Sequence, residues 1–566
     1  MTALPAHAAA PSPLSRAWRT VARPSLRRLR IALPQCLGLG LGLGLGLHLI
    51  AHTGPNLDSL QAARAPHLVG FGDATQRRIV SRSPEAQAWF NQGLQLAYAF
   101  DELEARRAFR AALSADPRCT LCAWGLAWQY APNYNARLRD DARLDLAQAR
   151  HYARLAQRLS LANREAPLER ALAEAMLERL QEGDVSQMPA ATLAVLEACG
   201  PDTDETRQVH PLDRVFERRM RILSEMFPQD PDLLSWWAEA LFVVHPDPSG
   251  LEAQWAGLSS RLLEALAQHP QHTGVIHYLS HAADTVEDAP RAINAVQNLQ
   301  HLAPASPHLQ HMSAHLLVKL GRYAEAVQAN QRGLAAQAAL DRQLQAQGFS
   351  AGINWNPHNQ RFLWIAAQLG GDFNTAMAMA EQLAAEAPAG EWGDFLRGLP
   401  WLTLVHFERW RDILARPPAE GVHPPLLAHA RGWARLRLGL LEDAGADVQL
   451  LQQHLQAQSE SENPRKPARI AFATLLLAPL QAELTWARGD ASAALAALRH
   501  ALLREAEMSP SEPPLWAASA QRWLGQMLLR MQDRAGAIAA FEADLKTNPA
   551  NRTALSGLDA AQRLPR

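Results

Sequence analysis

An alanine followed, at one fixed interval, by a proline recurs along this chain, and this recurrence constrains the fold more than any other feature. The four pairs are Ala105 with Pro117, Ala292 with Pro304, Ala376 with Pro388, and Ala537 with Pro549. A small residue lets a neighbouring helix pack closely, and a proline ends a helix. The recurrence therefore predicts a tandem array of short helical units rather than one compact core.

The fullest units also carry an aromatic residue and a second small residue at fixed positions. The first contains Trp89, Gly93, Ala105, Phe109, Ala112 and Pro117, and the last contains Leu524, Gly525, Ala537, Phe541 and Pro549. A further unit is marked by Gly321, Tyr323 and Ala326, and Ala326 occupies the place of Ala292 one unit later. This pattern resembles the tetratricopeptide repeat (TPR), a pair of antiparallel helices of about 34 residues. The resemblance implies an all-α, right-handed solenoid whose first helices line a concave groove.

Composition agrees with this fold class. A chain of 566 residues is too long for one ordinary core and suits an extended array. Its residues are 48% hydrophobic and 20% charged, which is compatible with a folded, water-facing protein. The net charge of -1 argues against nucleic acid as a partner, because phosphate binding needs a basic excess.

The N-terminal part differs from the rest. Residues 1–30 contain six arginines and no acid, and residues 31–51 carry no charge. A basic flank before an apolar run of this length predicts a signal or a single membrane anchor. We favour an uncleaved anchor, and so expect an exported, periplasmic protein held in the inner membrane, with its N-terminal segment in contact with the lipid.

The remaining chain is divided by composition. Residues 52–80 are predicted to be a linker, and residues 83–566 a TPR-type solenoid. Within the solenoid the predicted features are histidine-rich repeats at about 269–390, insertions at about 183–212 and 340–357, and a C-terminal repeat at about 515–560. Long insertions in such arrays often cover the groove.

Histidines provide the only strong candidate site. Eight of the 21 lie between His269 and His315. His277 and His281 share one helical face, and His311 and His315 occupy the equivalent places in the next repeat. We therefore expect these side chains to meet in the groove as a transition-metal site, since imidazole commonly binds copper, zinc or iron.

Further residues extend this candidate metal site. The complete predicted set of ligands is His277, His281, His311, His315, His308, His358, His272 and Asp284. His358 takes the place of His308 in the next repeat, and Asp284 could ligate a metal or orient a ring. The segments HTGVIHYLSH, SPHLQHMSAH and NPHN also resemble exported bacterial TPR proteins with histidine-rich repeats. That resemblance supports the site but implies no reaction.

Four cysteines are present. Cys119 and Cys122 begin the second repeat, and they are predicted to form either a disulfide or a soft-metal pair, of which we favour the disulfide or buried thiols. Cys36 lies in the apolar N-terminal run, and Cys199 lies in the predicted insertion, where we expect a buried or free thiol.

The sequence is compatible with three functions. The favoured one is metal binding in the groove. The second is a scaffold at the cell envelope that grips a peptide or protein without metal. The third is a metal-dependent hydrolase or oxygenase using the same histidines, for which catalytic residues are unknown and Asp284 is the one obvious carboxylate.

Overall fold

The structure is a computed structural model. It describes residues 64–565 apart from residues 137–138, 140, 142, 164–165, 183–208, 246–251, 419, 462–465, 507 and 509–512. The predicted N-terminal anchor, most of the 183–212 insertion, Cys36 and Cys199 therefore lie outside the described residues. All described residues belong to one compact unit.

The described residues form helices and connecting turns without β-strands. The first helices are α1 (Pro84–Tyr98), α2 (Glu102–Ala115), α3 (Thr120–Tyr130), α4 (Leu146–Ala162), α5 (Pro167–Arg179), α6 (Pro211–Met226), α7 (Pro231–Val244) and α8 (Glu252–Gln268). The histidine-rich region contains α9 (Thr273–Ala282), α10 (Ala289–Gln297), α11 (Leu299–Leu302), α12 (Pro307–His311), α13 (Ser313–Lys319), α14 (Tyr323–Ala346) and α15 (Asn356–Gly370).

The C-terminal half continues the same arrangement. Its helices are α16 (Phe373–Ala385), α17 (Glu391–Arg397), α18 (Leu399–His406), α19 (Trp410–Ala415), α20 (Pro424–Arg437), α21 (Leu441–Glu460), α22 (Lys466–Ala487), α23 (Ala491–Ala506), α24 (Ala520–Arg530), α25 (Arg534–Thr547) and α26 (Arg552–Gln562). Helices that follow one another in the chain pack together, as α1 does on α2 and α24 on α25, and the predicted all-α TPR-type solenoid is confirmed.

The recurring small and aromatic residues explain how the pairs stack. A Cβ atom added to Gly93 would lie 2.7 Å from the ring of Phe109, and one added to Gly125 would lie 2.9 Å from it. Phe541 is held in the same way by Gly525 and Gly557. Each phenylalanine therefore fills the wedge between its own helix and two neighbouring first helices, which only glycine allows to approach so closely.

Residues 64–82, which fall largely in the predicted linker, run without helical structure along the repeats. The first of two large hydrophobic cores extends from the N-terminal repeats through the histidine-rich repeats. This core buries the side chains of Leu68, Phe71 and Ile79. Arg77 binds the carboxylates of Asp230 and Asp232. This stretch therefore packs on the solenoid, because its apolar side chains have a core to enter.

The predicted insertion at 340–357 has two parts in the structure. Its first residues lengthen α14, which runs without a break to Ala346. The remainder forms a loop tied to α2, where Gly352 donates its backbone N–H to Glu104 and Arg107 donates to the carbonyl oxygen of Ser350. This loop leads directly into α15 and places Trp355 beside the histidines.

Within the described residues, one stretch is long and apolar enough to cross a membrane on length and composition alone. It is Arg469–Ala487, most of α22, and 67% of it is buried inside the protein.

The phenylalanine wedge gives a direct test of the packing. We expect Phe541→Ala to destabilise the C-terminal helices by about 3–5 kcal/mol, because it leaves a cavity that two glycines cannot fill. Hydrogen exchange of the amides in α24 to α26 should accelerate. A matched control is Leu555→Ala in α26, whose side chain is 45% exposed and whose truncation should have little effect. Equal protection in both variants would contradict this packing.

Candidate metal centre

Three successive first helices bring the predicted histidines together. His277 and His281 lie on α9, His308 and His311 on α12, His315 on α13, and His358 at the start of α15. Their helices begin regularly, since the His272 ring accepts the backbone N–H of Val275 and the Ser306 hydroxyl accepts that of Leu309. We call these six side chains the histidine cluster: His277, His281, His308, His311, His315 and His358.

Three of the six form a first group. The Nε2 atom of His277 lies 3.0 Å from Nε2 of His308 and 3.2 Å from Nε2 of His281. One ligand nitrogen from each residue falls within a 4.8 Å span. His277 and His308 are buried, whereas His281 is partly exposed.

The other three form a second group of the same shape. The Nε2 atom of His311 lies 2.9 Å from Nε2 of His315 and 3.1 Å from Nε2 of His358. These nitrogens also fall within 4.8 Å of one another. His311 and His315 are buried and His358 is partly exposed, so each group has one partly exposed member.

Hydrogen bonds at the opposite ring nitrogens fix the protonation of the central histidines. The Nδ1–H of His277 donates to the carbonyl oxygen of Tyr98 at 2.6 Å. The Nδ1–H of His311 donates to Oδ1 of Asn330 at 2.9 Å, and the Asn330 amide is oriented because its Nδ2 donates to the carbonyl oxygen of Ala326. A neutral imidazole protonated at Nδ1 carries a lone pair at Nε2. Both Nε2 atoms are therefore ready to ligate.

Burial keeps these rings neutral. Desolvation lowers the pKa of His277 to about 3, even though its hydrogen bond to Tyr98 acts in the opposite direction. Desolvation and the neighbouring imidazoles hold the pKa values of His308 and His311 well below the ordinary value. Metal ligation requires neutral imidazole, so the environment favours the ligating form at neutral pH.

The pair His311 and His315 is electrostatically unusual. The Nδ1 of His315 faces Oδ2 of Asp284 at 3.3 Å, so this ring also carries its proton on Nδ1. The Nε2 atoms of the two rings lie 2.9 Å apart, so either one of them carries a proton or both bind one cation. The Asp284 carboxylate stabilises a positive charge at His315, which suits either a second proton on this ring or a metal ion at its Nε2. In the first group, a proton on Nε2 of His308 can bridge to His277 in the same way.

Aromatic rings surround the histidine cluster. Phe100 packs on His277 at 4.4 Å between ring centroids and on His308 at 5.1 Å, and Trp355 stacks on His308 at 4.1 Å. Phe362 covers His315 at 4.4 Å, and Tyr134 covers His281 at 4.3 Å. These contacts fix the ring orientations and keep the ligand nitrogens in a largely apolar space.

Phe100 reaches its position through a strained backbone. Its φ angle is +57°, which is uncommon for a bulky residue and costs about 1–3 kcal/mol. This turn between α1 and α2 places the Phe100 ring on two histidines. The same turn aims the carbonyl oxygen of Tyr98 at Nδ1 of His277.

Two residues of the predicted set take other roles. His272 caps α9 and its Nε2 lies 3.1 Å from Asp232, so it belongs to a neighbouring network with Tyr98 and Arg77 and not to the histidine cluster. Asp284 faces the Nδ1 side of His315, which is the orienting role considered for it rather than ligation.

The cysteine pair lies in the core of the second repeat. Cys119 and Cys122 are joined by a disulfide across the first turn of α3, and both side chains are fully buried. Of the two alternatives for this pair, the structure has the disulfide.

Sequence reasoning missed the groups that orient the imidazoles. Asn330 interrupts the apolar face of α14 between Ala329 and Gly333, and a buried asparagine in such a face could have marked it. The Tyr98 carbonyl and the Phe100 ring carry no comparable signal, because their roles depend on how the α1–α2 turn meets α9.

No protein-family model matches the chain, and no curated protein matches it. Several solved structures are similar to it at low identity. The human IFIT1 dimer with m7Gppp-AAAA is 12% identical, with 74% of this chain and 86% of that chain covered and a TM-score of 0.32. The P58(IPK) TPR domain is 12% identical, covering 85% and 98%, with a TM-score of 0.21.

A third similar structure is the APC/C hetero-tetramer Cut9-Hcn1, at 12% identity over 84% of this chain and 90% of that chain, with a TM-score of 0.24. At these TM-scores the similarity carries no argument about function. The helices and the site themselves define a TPR-type helical-repeat protein with a buried histidine cluster.

The protonation pattern can be tested in the metal-free protein. Histidine-selective ¹⁵N NMR should show His277 and His311 as neutral Nδ1–H tautomers, because each donates from Nδ1 to an oxygen. Asn330→Leu should alter the tautomer of His311 alone and leave His277 as a matched internal control. A proton on Nε2 of His311 in the unmodified chain would contradict the geometry.

Proposed function

We propose that this protein binds transition-metal ions through its histidine cluster. The single observation that carries the proposal is the convergence of three imidazole nitrogens within 4.8 Å of one another in each half of the cluster, around the central rings of His277 and His311, whose protons lie on Nδ1. A metal ion can bind such nitrogens together. A peptide-binding or solvent-facing role does not require imidazole nitrogens to converge in a buried site.

The spacing of the nitrogens supports the same proposal. Metal–imidazole bonds are about 2.0–2.1 Å long, so nitrogens about 3 Å apart can contact one ion together. Three histidines also leave further coordination positions open, as in catalytic metal sites. Imidazole suits copper, zinc and iron, and the ligands alone do not select among them.

We further propose that the protein is exported and anchored by residues 31–51. The support is the uncharged run that follows six arginines. The histidine segments add to this support, because they resemble those of exported bacterial TPR proteins with histidine-rich repeats. In the cell envelope, a protein with such a site would take part in metal handling or act as a metalloenzyme.

A scaffold for a protein partner is the second candidate. An open cleft of about 900 Å³, lined by residues that include Arg77, Asp230 and His269, gives a partner a surface to contact. The buried members of the histidine cluster do not offer such a surface. A partner would therefore bind elsewhere on the solenoid.

The test is elemental analysis of the purified full-length chain. We expect copper, zinc or iron in stoichiometric amount, and we expect the double variant His277→Ala/His311→Ala to lose it, because both central ligands are removed. Circular dichroism should show that the helices persist.

The matched control is His301→Ala, which removes an exposed histidine from the same region and should leave the metal content unchanged. Full retention of metal by the double variant would overturn the proposal. A metal-free wild-type chain that takes up no added ion would do the same and would favour the scaffold.

A further inference from the structure

The two groups of the histidine cluster are copies of one unit. His277 and His311 are separated by one repeat, and so are His281 and His315. His308 and His358 are farther apart in sequence, because the lengthened α14 and its following loop lie between them. Each group thus takes an i, i+4 pair from one repeat, on α9 in the first group and on α12 and α13 in the second, and one histidine from the start of the next repeat.

The geometry repeats along with the sequence. In each group the first histidine of the pair is central, with its Nε2 between 2.9 and 3.2 Å from the Nε2 atoms of the other two. In each, the central Nδ1–H donates to an uncharged oxygen, supplied by Tyr98 in one and by Asn330 in the other. The same three-nitrogen arrangement therefore occurs twice, once in each group.

The two copies are in direct contact. His308 of the first group and His311 of the second lie one turn apart on α12, with ring centroids 5.7 Å apart. His281 and His315 are also 5.7 Å apart across the interface between α9 and α13. Two ions bound here would share one aromatic-walled space, as the ions of two-metal sites do.

Resting on the proposed function, we propose that each three-histidine group binds its own transition-metal ion and that the protein thereby holds a dinuclear centre. Six neutral imidazoles do not offset the charge of two divalent ions. Asp284 supplies one negative charge beside His315, and small anions from solvent would occupy coordination positions that three ligands leave open.

The partly exposed member of each group gives a clean way to separate the two sites. His281 belongs to the first group and His358 to the second, and truncating either leaves the buried histidines in place. His281→Ala and His358→Ala are therefore a matched pair. The glutamine variants of both residues provide a second set that retains more of the side-chain volume.

The experiment is a Co²⁺ titration of the metal-free full-length chain, followed by visible absorption and by elemental analysis after desalting. The unmodified chain should take up two Co²⁺ ions. Each single variant should take up one, and the double variant should take up none, while circular dichroism remains unchanged.

The outcomes separate the two proposals. One ion in the unmodified chain would overturn the dinuclear centre and leave metal binding intact. Loss of both ions in each single variant would show that the two ions do not bind separately and would overturn the assignment of one ion to each group. No Co²⁺ uptake by the unmodified chain would overturn both. Retention of two ions by His301→Ala is the control for specificity.

Discussion

Close packing of successive helix pairs determines which side chains of this protein come together. At the two ends of the solenoid, Phe109 and Phe541 each fill a wedge that glycines on two neighbouring helices leave open. The histidine-bearing helices between them also contact one another one repeat apart. A side chain repeated at this interval therefore becomes part of a spatial cluster.

The one-repeat register brings six imidazoles from three short histidine-containing segments together. Burial then decides their chemistry, because a desolvated ring resists protonation and keeps its lone pair. The Tyr98 carbonyl and Asn330 determine which nitrogen bears the proton. The strained turn at Phe100 helps to hold this arrangement, and backbone strain of this kind persists where the surrounding structure enforces it.

Much of this could be predicted from the sequence. The helical pairs follow from the alanine and proline spacing, and the pairing of His277 with His311 follows from a shift by one repeat. The role of His272 could not be predicted, because it depends on Asp232, which approaches from another repeat. The first residues of the 340–357 insertion continue α14. The reason is that Ala336, Leu340 and Leu344 keep helical spacing and their side chains are buried in the core.

The most direct measurement is anomalous diffraction from crystals of the protein, recorded at the absorption edge of the metal found by elemental analysis. Two peaks are expected, one bounded by Nε2 of His277, His281 and His308 and the other by Nε2 of His311, His315 and His358. Crystals in which all six imidazoles are ordered as described, with no anomalous peak among them after soaking in the metal, would contradict this expectation.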